Sequence, residues 1–268
     1  MNDKTDTLWQ TICAEVRDSA RDEPVLASYF YTAVLSHDSL ETALSNNLAQ
    51  LLGNSVVSAL VIRQLFVEAM AADRTISINM RRDLLAHYER DPACEKYSMP
   101  LLYFKGFHAV QVYRVAHWLW QHQRRELARY LQNQMSEIFA VDIHPGATIG
   151  GGLMVDHATG VVIGETTIIE DDVSILHSVT LGGSGCGVGA RHPTIRRGVL
   201  ISVGAKILGN IEVGAGAKVG AGSLVLESVA PHTTVAGVPA RVVGTPREAQ
   251  PALVMDQHIN GDEEKRVS

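Results

Sequence analysis

Cysteine is scarce and poorly spaced for chemistry. Cys13, Cys94 and Cys186 are the only three in 268 residues, and no two form a CxxC pair. That spacing argues against a disulfide frame or a cysteine zinc site and points to a reducing, cytoplasmic compartment. No stretch approaches the ~18 uninterrupted apolar residues of a membrane span. The opening MNDKTDTLWQ carries charges where a secretory leader needs an apolar run. A basic excess is also missing: the net charge is −6 and the pI about 6.0. Such a balance argues against a nucleic-acid or anionic-membrane surface.

Glycine is lacking in one half only. Gly53 and Gly106 are the sole glycines before residue 141, while 21 of the 23 follow it. All three tryptophans, Trp9, Trp118 and Trp120, lie in the glycine-poor part. The chain therefore divides into an α-helical region over 1–140, a second domain over 141–245 and a polar tail over 246–268. The tail, REAQPALVMDQHINGDEEKRVS, has no periodicity and is expected to be mobile.

The first part reads as six to eight helices. Leu8, Ile12, Cys13 and Val16 recur at three-to-four spacing before Pro24, and similar patterns run over 24–35, 39–52, 56–72 and 76–89. DPACEKYSMP interrupts them with two prolines, and long amphipathic segments then lead to RRELARYLQNQMSEIF.

The second part repeats every six residues. Aliphatic side chains stand at Ile143, Ile149, Val155, then Ile163, Ile169, Ile175, Leu181, then Ile195, Ile201, Ile207, Val213, Val219 and Val225. A hexapeptide period means a short strand and a tight turn, three of which close one triangular coil. The aliphatic slot must point inward, because stacked coils bury it as a continuous column. Roughly 100 residues of repeat make five to six coils.

The repeat slips twice. Val155 to Ile163 is a step of eight and Leu181 to Ile195 a step of fourteen, each two residues beyond a multiple of six. The first slip contains DHATG, the second GGSGCGVGARHPT. Extra residues bulge from a regular ladder and re-aim side chains. His157, second after an inward slot, should face away from the core. His177 has the same phase and should lie one coil above it. Asp142 precedes the first inward slot and lies less than a coil before His157. A carboxylate beside an imidazole fixes its tautomer and stabilises the imidazolium, which is what a hydroxyl nucleophile needs from a base. The bland alternative is a surface or interface histidine with a polar neighbour.

At DPA, VDIHP, DHATGVVIGE, SVTLGG, RHPTIRRGVLISVGAKILGN and MDQHING the chain resembles serine O-acetyltransferase, within the hexapeptide-repeat acyltransferase superfamily. The resemblance spans nearly the whole chain. It implies an α+β multidomain protein, an N-terminal α-helical oligomerisation domain followed by a left-handed parallel β-helix. It also implies transfer of acetyl from acetyl-CoA to L-serine, with CoA and O-acetyl-L-serine as products in cysteine biosynthesis. His157 takes the part of general base and Asp142 of its orienting carboxylate. Asp91 and Asp156 take the serine ammonium, and Arg191 and His192 its carboxylate; the charges are complementary. Asp91 alone reads equally well as a helix-boundary residue before Pro92. Gly183, Gly204, Ala205, Lys218 and Ala221 are assigned to the acetyl-CoA groove, and no metal is implied. Family members form hexamers as dimers of trimers, with the active site between coils, and are inhibited by L-cysteine. Many also insert their carboxyl terminus into O-acetylserine sulfhydrylase through a terminal isoleucine, which the ending EEKRVS lacks.

Three rivals share the coil. A sugar or xenobiotic acetyltransferase would generally lack the helical domain, Asp91 and the Arg191–His192 pair. A γ-type carbonic anhydrase would use His157, His177 and His192 as zinc ligands, but its close histidine pair is missing. A non-catalytic trimeric scaffold would not need His157. Cys186 as an acyl carrier has no evident neighbouring base.

Overall fold

Three of the helix starts are set by side chains that cap them. In the computed structural model, which describes residues 6–185 and 189–259, α1 (Thr7–Asp22) is entered through Asp6, whose Oδ1 accepts from Trp9 N. The stripe it buries is Trp9, Ile12, Cys13 and Val16, as its spacing predicts. The segment after Pro24 is not one helix. It passes through a 3₁₀ turn at Pro24–Leu26, one α-turn α2 (Ala27–Phe30) and a π-turn at Tyr31–Leu35. The widened turn lets the consecutive residues Ala33 and Val34 both reach the core.

α3 (Leu40–Leu52) opens on a reciprocal Ser39–Thr42 cap, and α5 (Arg74–Arg90) on Asp73, which accepts from Thr75 N. Between them lies α4 (Ala59–Ala72), and after α5 comes the short α6 (Ser98–Tyr103). α7 (Lys105–Gln121) is buried around most of its circumference, because helices flank it on one side and the coil on the other. α8 (Arg125–Phe139) buries the stripe Ala128, Leu131, Met135 and Phe139. Ala140, left-handed at φ 56°, ends it and turns the chain into the first strand.

The remainder is a parallel β-helix with three sheets. The first stacks β1 (Val141–Ile143), β4 (Val161–Ile163), β7 (Thr180–Gly182), β10 (Lys206–Leu208) and β13 (Leu224–Val225). The second stacks β2 (Thr148–Ile149), β5 (Ile168–Ile169), β8 (Thr194–Ile195) and β11 (Glu212–Val213). The third stacks β3 (Met154–Val155), β6 (Ser174–Ile175), β9 (Leu200–Ile201), β12 (Lys218–Val219) and β14 (Thr234–Gly237), with β15 (Ala240–Gly244) antiparallel at the end. Register keeps the repeat in phase: Ile163 pairs with Leu181, Ile169 with Ile195, and Ile175 with Ile201. All thirteen predicted inward positions are buried.

The first coil has no coil beneath it, so its carbonyls need other donors. α5 and α7 supply them. Tyr113 donates its hydroxyl proton to Ala147 O (2.6 Å), Arg114 Nη2 to Gly150 O (2.8 Å), Arg90 Nη1 to Gly152 O (3.0 Å) and His117 Nδ1 to Pro145 O (2.8 Å). Asp83, fully buried, holds this floor together by accepting from Arg114 Nε (2.8 Å), Gln111 Nε2 (2.9 Å) and Leu153 N (2.9 Å).

The described part of the tail makes contacts that its sequence did not announce. α9 (Pro251–Val254) packs on α5 and β9, with Pro251 and Ala252 buried. Ser174 Oγ donates to Ala252 O (2.8 Å), and Lys218 Nζ donates to His258 O. The reason lies on the third sheet, whose outer face carries Met154 and Leu200, both buried. That apolar surface requires cover, a need the tail's own composition did not disclose.

Candidate functional site

Chain geometry at the first slip is built from left-handed residues. After Asp156, whose N–H donates to Ile175 O (2.8 Å), His157 and Ala158 take φ of 54° and 60°, and Gly160 a φ of 77°. The equivalent corner of the next three coils uses one such residue each, Ser178, Gly204 and Gly222. The two extra residues are thus absorbed as a second left-handed step, a conformation costing on the order of 1–2 kcal/mol for a non-glycine residue. Ala158 is driven into the core and His157 outward, with its side chain 72% exposed.

Neighbours pin the bulge. Gly160 N donates to Ala140 O (2.7 Å) below, and Ser178 N to Thr159 O (2.8 Å) above. Lys105, first residue of α7, donates its ammonium proton to Thr159 Oγ1. Gly106 lets α7 come this close, since a β-carbon there would stand 1.9 Å from Val155 O. His177 lies where its phase predicted, one coil above, with its ring 5.6 Å from that of His157 in a T-shaped arrangement.

The expected carboxylates are distributed around this corner. Asp156 Oδ2 is 3.6 Å from His157 Nε2. Among the described residues Asp142 makes no ion pair with His157; its Oδ1 accepts from Gln132 Nε2 of α8 (2.7 Å). Asp91 is the C-cap of α5 and accepts from Ala93 N (2.8 Å), the helix-boundary role its sequence position allows. It follows by one turn His87, which is fully buried; burial lowers the pKa of that imidazole, against an opposing pull from Asp83 and Asp156.

Arg191 and His192 stand at a different corner, between the first and second sheets. Arg191 Nη2 pairs with Glu165 Oε2 (2.5 Å), and Thr166 Oγ1 accepts from the N–H groups of both Arg191 (3.0 Å) and His192 (3.2 Å). Thr166 Oγ1 also lies 2.9 Å from His192 Nδ1. The His192 ring lies flat on Gly164, where a β-carbon would stand 2.0 Å from its Cδ2. Burial first, then the Arg191 charge, holds the His192 pKa below the usual imidazole value. The Arg191 hydrogen bond likewise lowers the Glu165 carboxyl. Thr166 and Glu165 escaped the sequence reading, although Glu165 closes the DHATGVVIGE motif; only the fold brings them to the second slip.

The five positions assigned to the acetyl-CoA groove separate into three places. Gly204, Ala205 and Ala221 lie on the same corner column as His157 and His177, with Gly204 N donating to His177 O (3.0 Å). Ala205 is fully buried, leaving its side chain unable to face a ligand. Gly183 sits beside Arg191 and His192. Lys218 is buried beneath the tail, paired with Asp256 as well as His258. Cys186 and the last nine residues lie outside the described residues. Among the described residues no three histidine, cysteine or acidic side chains are grouped to hold a metal, and no helix is long and apolar enough to cross a membrane.

Comparison with known proteins gives a consistent answer. Residues 8–112 match the family model described as serine acetyltransferase, N-terminal. The chain is 57% identical over 259 residues to the serine acetyltransferase of Salmonella typhimurium, covering 97% of this chain and 95% of that one. The crystal structure of serine acetyltransferase from Vibrio cholerae is 58% identical and superposes with a TM-score of 0.93, over 95% of this chain and 98% of that one. A serine acetyltransferase in complex with cysteine is 52% identical with a TM-score of 0.92, over 94% and 98% of the two chains. The Brucella abortus enzyme in complex with coenzyme A is 51% identical with a TM-score of 0.89, over 91% and 97%.

Proposed function

The chain belongs to the serine acetyltransferase family of acetyl-CoA-dependent acyltransferases, built on a left-handed parallel β-helix, and we propose that it acetylates L-serine by direct attack with His157 as the general base. The observation that carries this reading is the left-handed double step that lifts His157 out of an otherwise regular corner, next to Asp156 and His177. The serine hydroxyl attacks the thioester carbonyl while His157 accepts its proton. The carbon–sulfur bond then breaks, and the imidazolium returns the proton to the departing CoA sulfur. Oxygen–carbon bond formation and carbon–sulfur cleavage balance without any acyl-enzyme.

Asp91 and Asp156 take the substrate ammonium in this reading, and Arg191 and His192 its carboxylate. Asp142 orients His157 once it exchanges Gln132 for the imidazole. Because His157 and His192 occupy corners on opposite edges of the first sheet, a complete site combines the His157 corner of one chain with the Arg191 corner of another. That requirement supports the trimer of coils, with helical domains joining two trimers into a hexamer. Cysteine, which has a serine-like ammonium and carboxylate, would compete for the same groups; the cysteine complex of the relative supports feedback inhibition. A cytoplasmic setting fits the free thiols of Cys13 and Cys94. A sulfhydrylase contact through the carboxyl terminus concerns residues outside those described.

The test is CoA release from acetyl-CoA with L-serine, without it, and with sugar hydroxyls, for wild type and His157→Ala. Serine-dependent release lost by at least about a hundredfold in the variant is expected for a general base. Release without serine dependence would remove the serine reading.

A further inference from the structure

Nothing in the acyl-transfer scheme uses His177, yet its ring touches that of the candidate base. We propose that His177 is a positioning residue for the reaction, a platform that holds the exposed His157 imidazole in the orientation from which it accepts the serine proton. The inference rests on His157 being the base.

Three observations converge. Within the single chain the His157 side chain is 72% exposed, so packing leaves its rotamer little restrained. Among the described residues its one neighbouring ring is His177, at 5.6 Å between centroids and 74° between planes, which sets the edge of one imidazole against the face of the other. Such edge-to-face pairs are favoured by the ring charge distribution and have a defined geometry, unlike simple apolar contact. His177 is anchored through its backbone, and its ring is packed. Its carbonyl accepts from Gly204 N (3.0 Å) in the third coil, and its Nδ1 is buried with no hydrogen-bond partner among the described residues.

That buried, unpartnered nitrogen is a cost to the fold. A leucine or valine would fill the corner more cheaply; Val203 occupies the equivalent position one coil above. An aromatic ring there gives the site something an aliphatic side chain does not, a flat surface against which the base can register. The strained φ of 54° at His157 fixes where the side chain leaves the backbone, and His177 fixes where its ring stops. Holding a base within a narrow range of angles raises the fraction of encounters that are productive.

Four variants of the full-length protein decide the matter: His177→Ala, His177→Phe, His157→Ala and the His157→Ala/His177→Ala double variant. For each, kcat, KM for serine and for acetyl-CoA, and melting temperature are measured. His177→Ala should lower kcat by about tenfold while both KM values stay within about twofold, the size of effect one edge-to-face pair supplies. His177→Phe restores the ring without the titratable nitrogens and should return kcat to within about threefold of wild type. On the His157→Ala background, His177→Ala should have no further effect, because a residue acting only through His157 has nothing left to act on. Unchanged kcat in His177→Ala, a Phe variant no better than Ala, or an additive loss in the double variant each overturns the proposal. Should the Ala variant fail to fold, a large kcat loss in a folded His177→Phe suffices to overturn it, and near-normal kcat there supports it. Wild-type activity in His157→Ala alone would instead mark the failure of the general-base reading.

Discussion

A β-carbon at residue 164 would stand 2.0 Å from Cδ2 of His192, and the imidazole would have to leave the coil surface to make room. Gly164→Ala is therefore expected to raise KM for serine several-fold, with about 1–3 kcal/mol of destabilisation from overpacking. Steady-state kinetics beside a urea melt separates the two effects. His108 makes a second residue-scale prediction. Burial on α7 lowers its pKa to about 4 from 6.5, so the unfolded chain takes up the proton first as pH falls. Its contribution to stability is complete above about pH 6.5 and is lost as pH falls toward 4, a difference on the order of 3 kcal/mol. The lowered values at His87, His117, His144 and His192 share that sign. Urea midpoints measured from pH 7 to 4 should fall steeply, and less steeply in His108→Gln.

Between elements, the interface of α5 and α7 with the first coil carries the largest single risk. Asp83, on α5, is fully buried and accepts from two donors of α7 and one of the coil. Asp83→Ala leaves the Arg114 guanidinium, also buried, without its counter-charge, and a loss of about 3–5 kcal/mol is expected. Replacing both by apolar residues of similar size, as in Asp83→Leu/Arg114→Met, should recover part of the pair's loss, although the carbonyls of Ile149 and Gly150 then lose their donor. Chemical denaturation of the two variants beside wild type reads this directly. The close approach of α7 to β3 makes Gly106→Ala a comparable disruption, because the added β-carbon would meet the backbone carbonyl of Val155.

On the scale of the molecule, the two slips put His157 and the Arg191–His192 pair at separate corners, and the proposed site needs both. Chains carrying His157→Ala and chains carrying His192→Ala should each be inactive. Co-refolded, they should regain a substantial part of wild-type activity, since in the proposed trimer mixed assemblies contain interfaces with two intact corners. Absence of any recovery would mean that each chain completes its own site. The tail is the other feature of this scale. It closes over the third sheet and shields Lys218, whose pKa burial lowers. Chains ending at 245 should expose that amine to acylating reagents at pH 8, where the full chain protects it; peptide mapping reads the difference.

Sequence alone determined the helical half, the coil, its inward column and the corner at which His157 emerges. A hexapeptide period is local, and burial of every aliphatic slot follows from it wherever coils stack. Phase likewise sufficed to set His177 above His157. Only the tertiary structure decided which groups meet across elements. Asp142 with Gln132, Thr166 with Arg191 and His192, Lys105 with Thr159, and α9 on the third sheet all join residues whose separation in the chain carries no periodic signal. Those contacts are set by how helices pack against a coil, and no spacing along the chain encodes that packing.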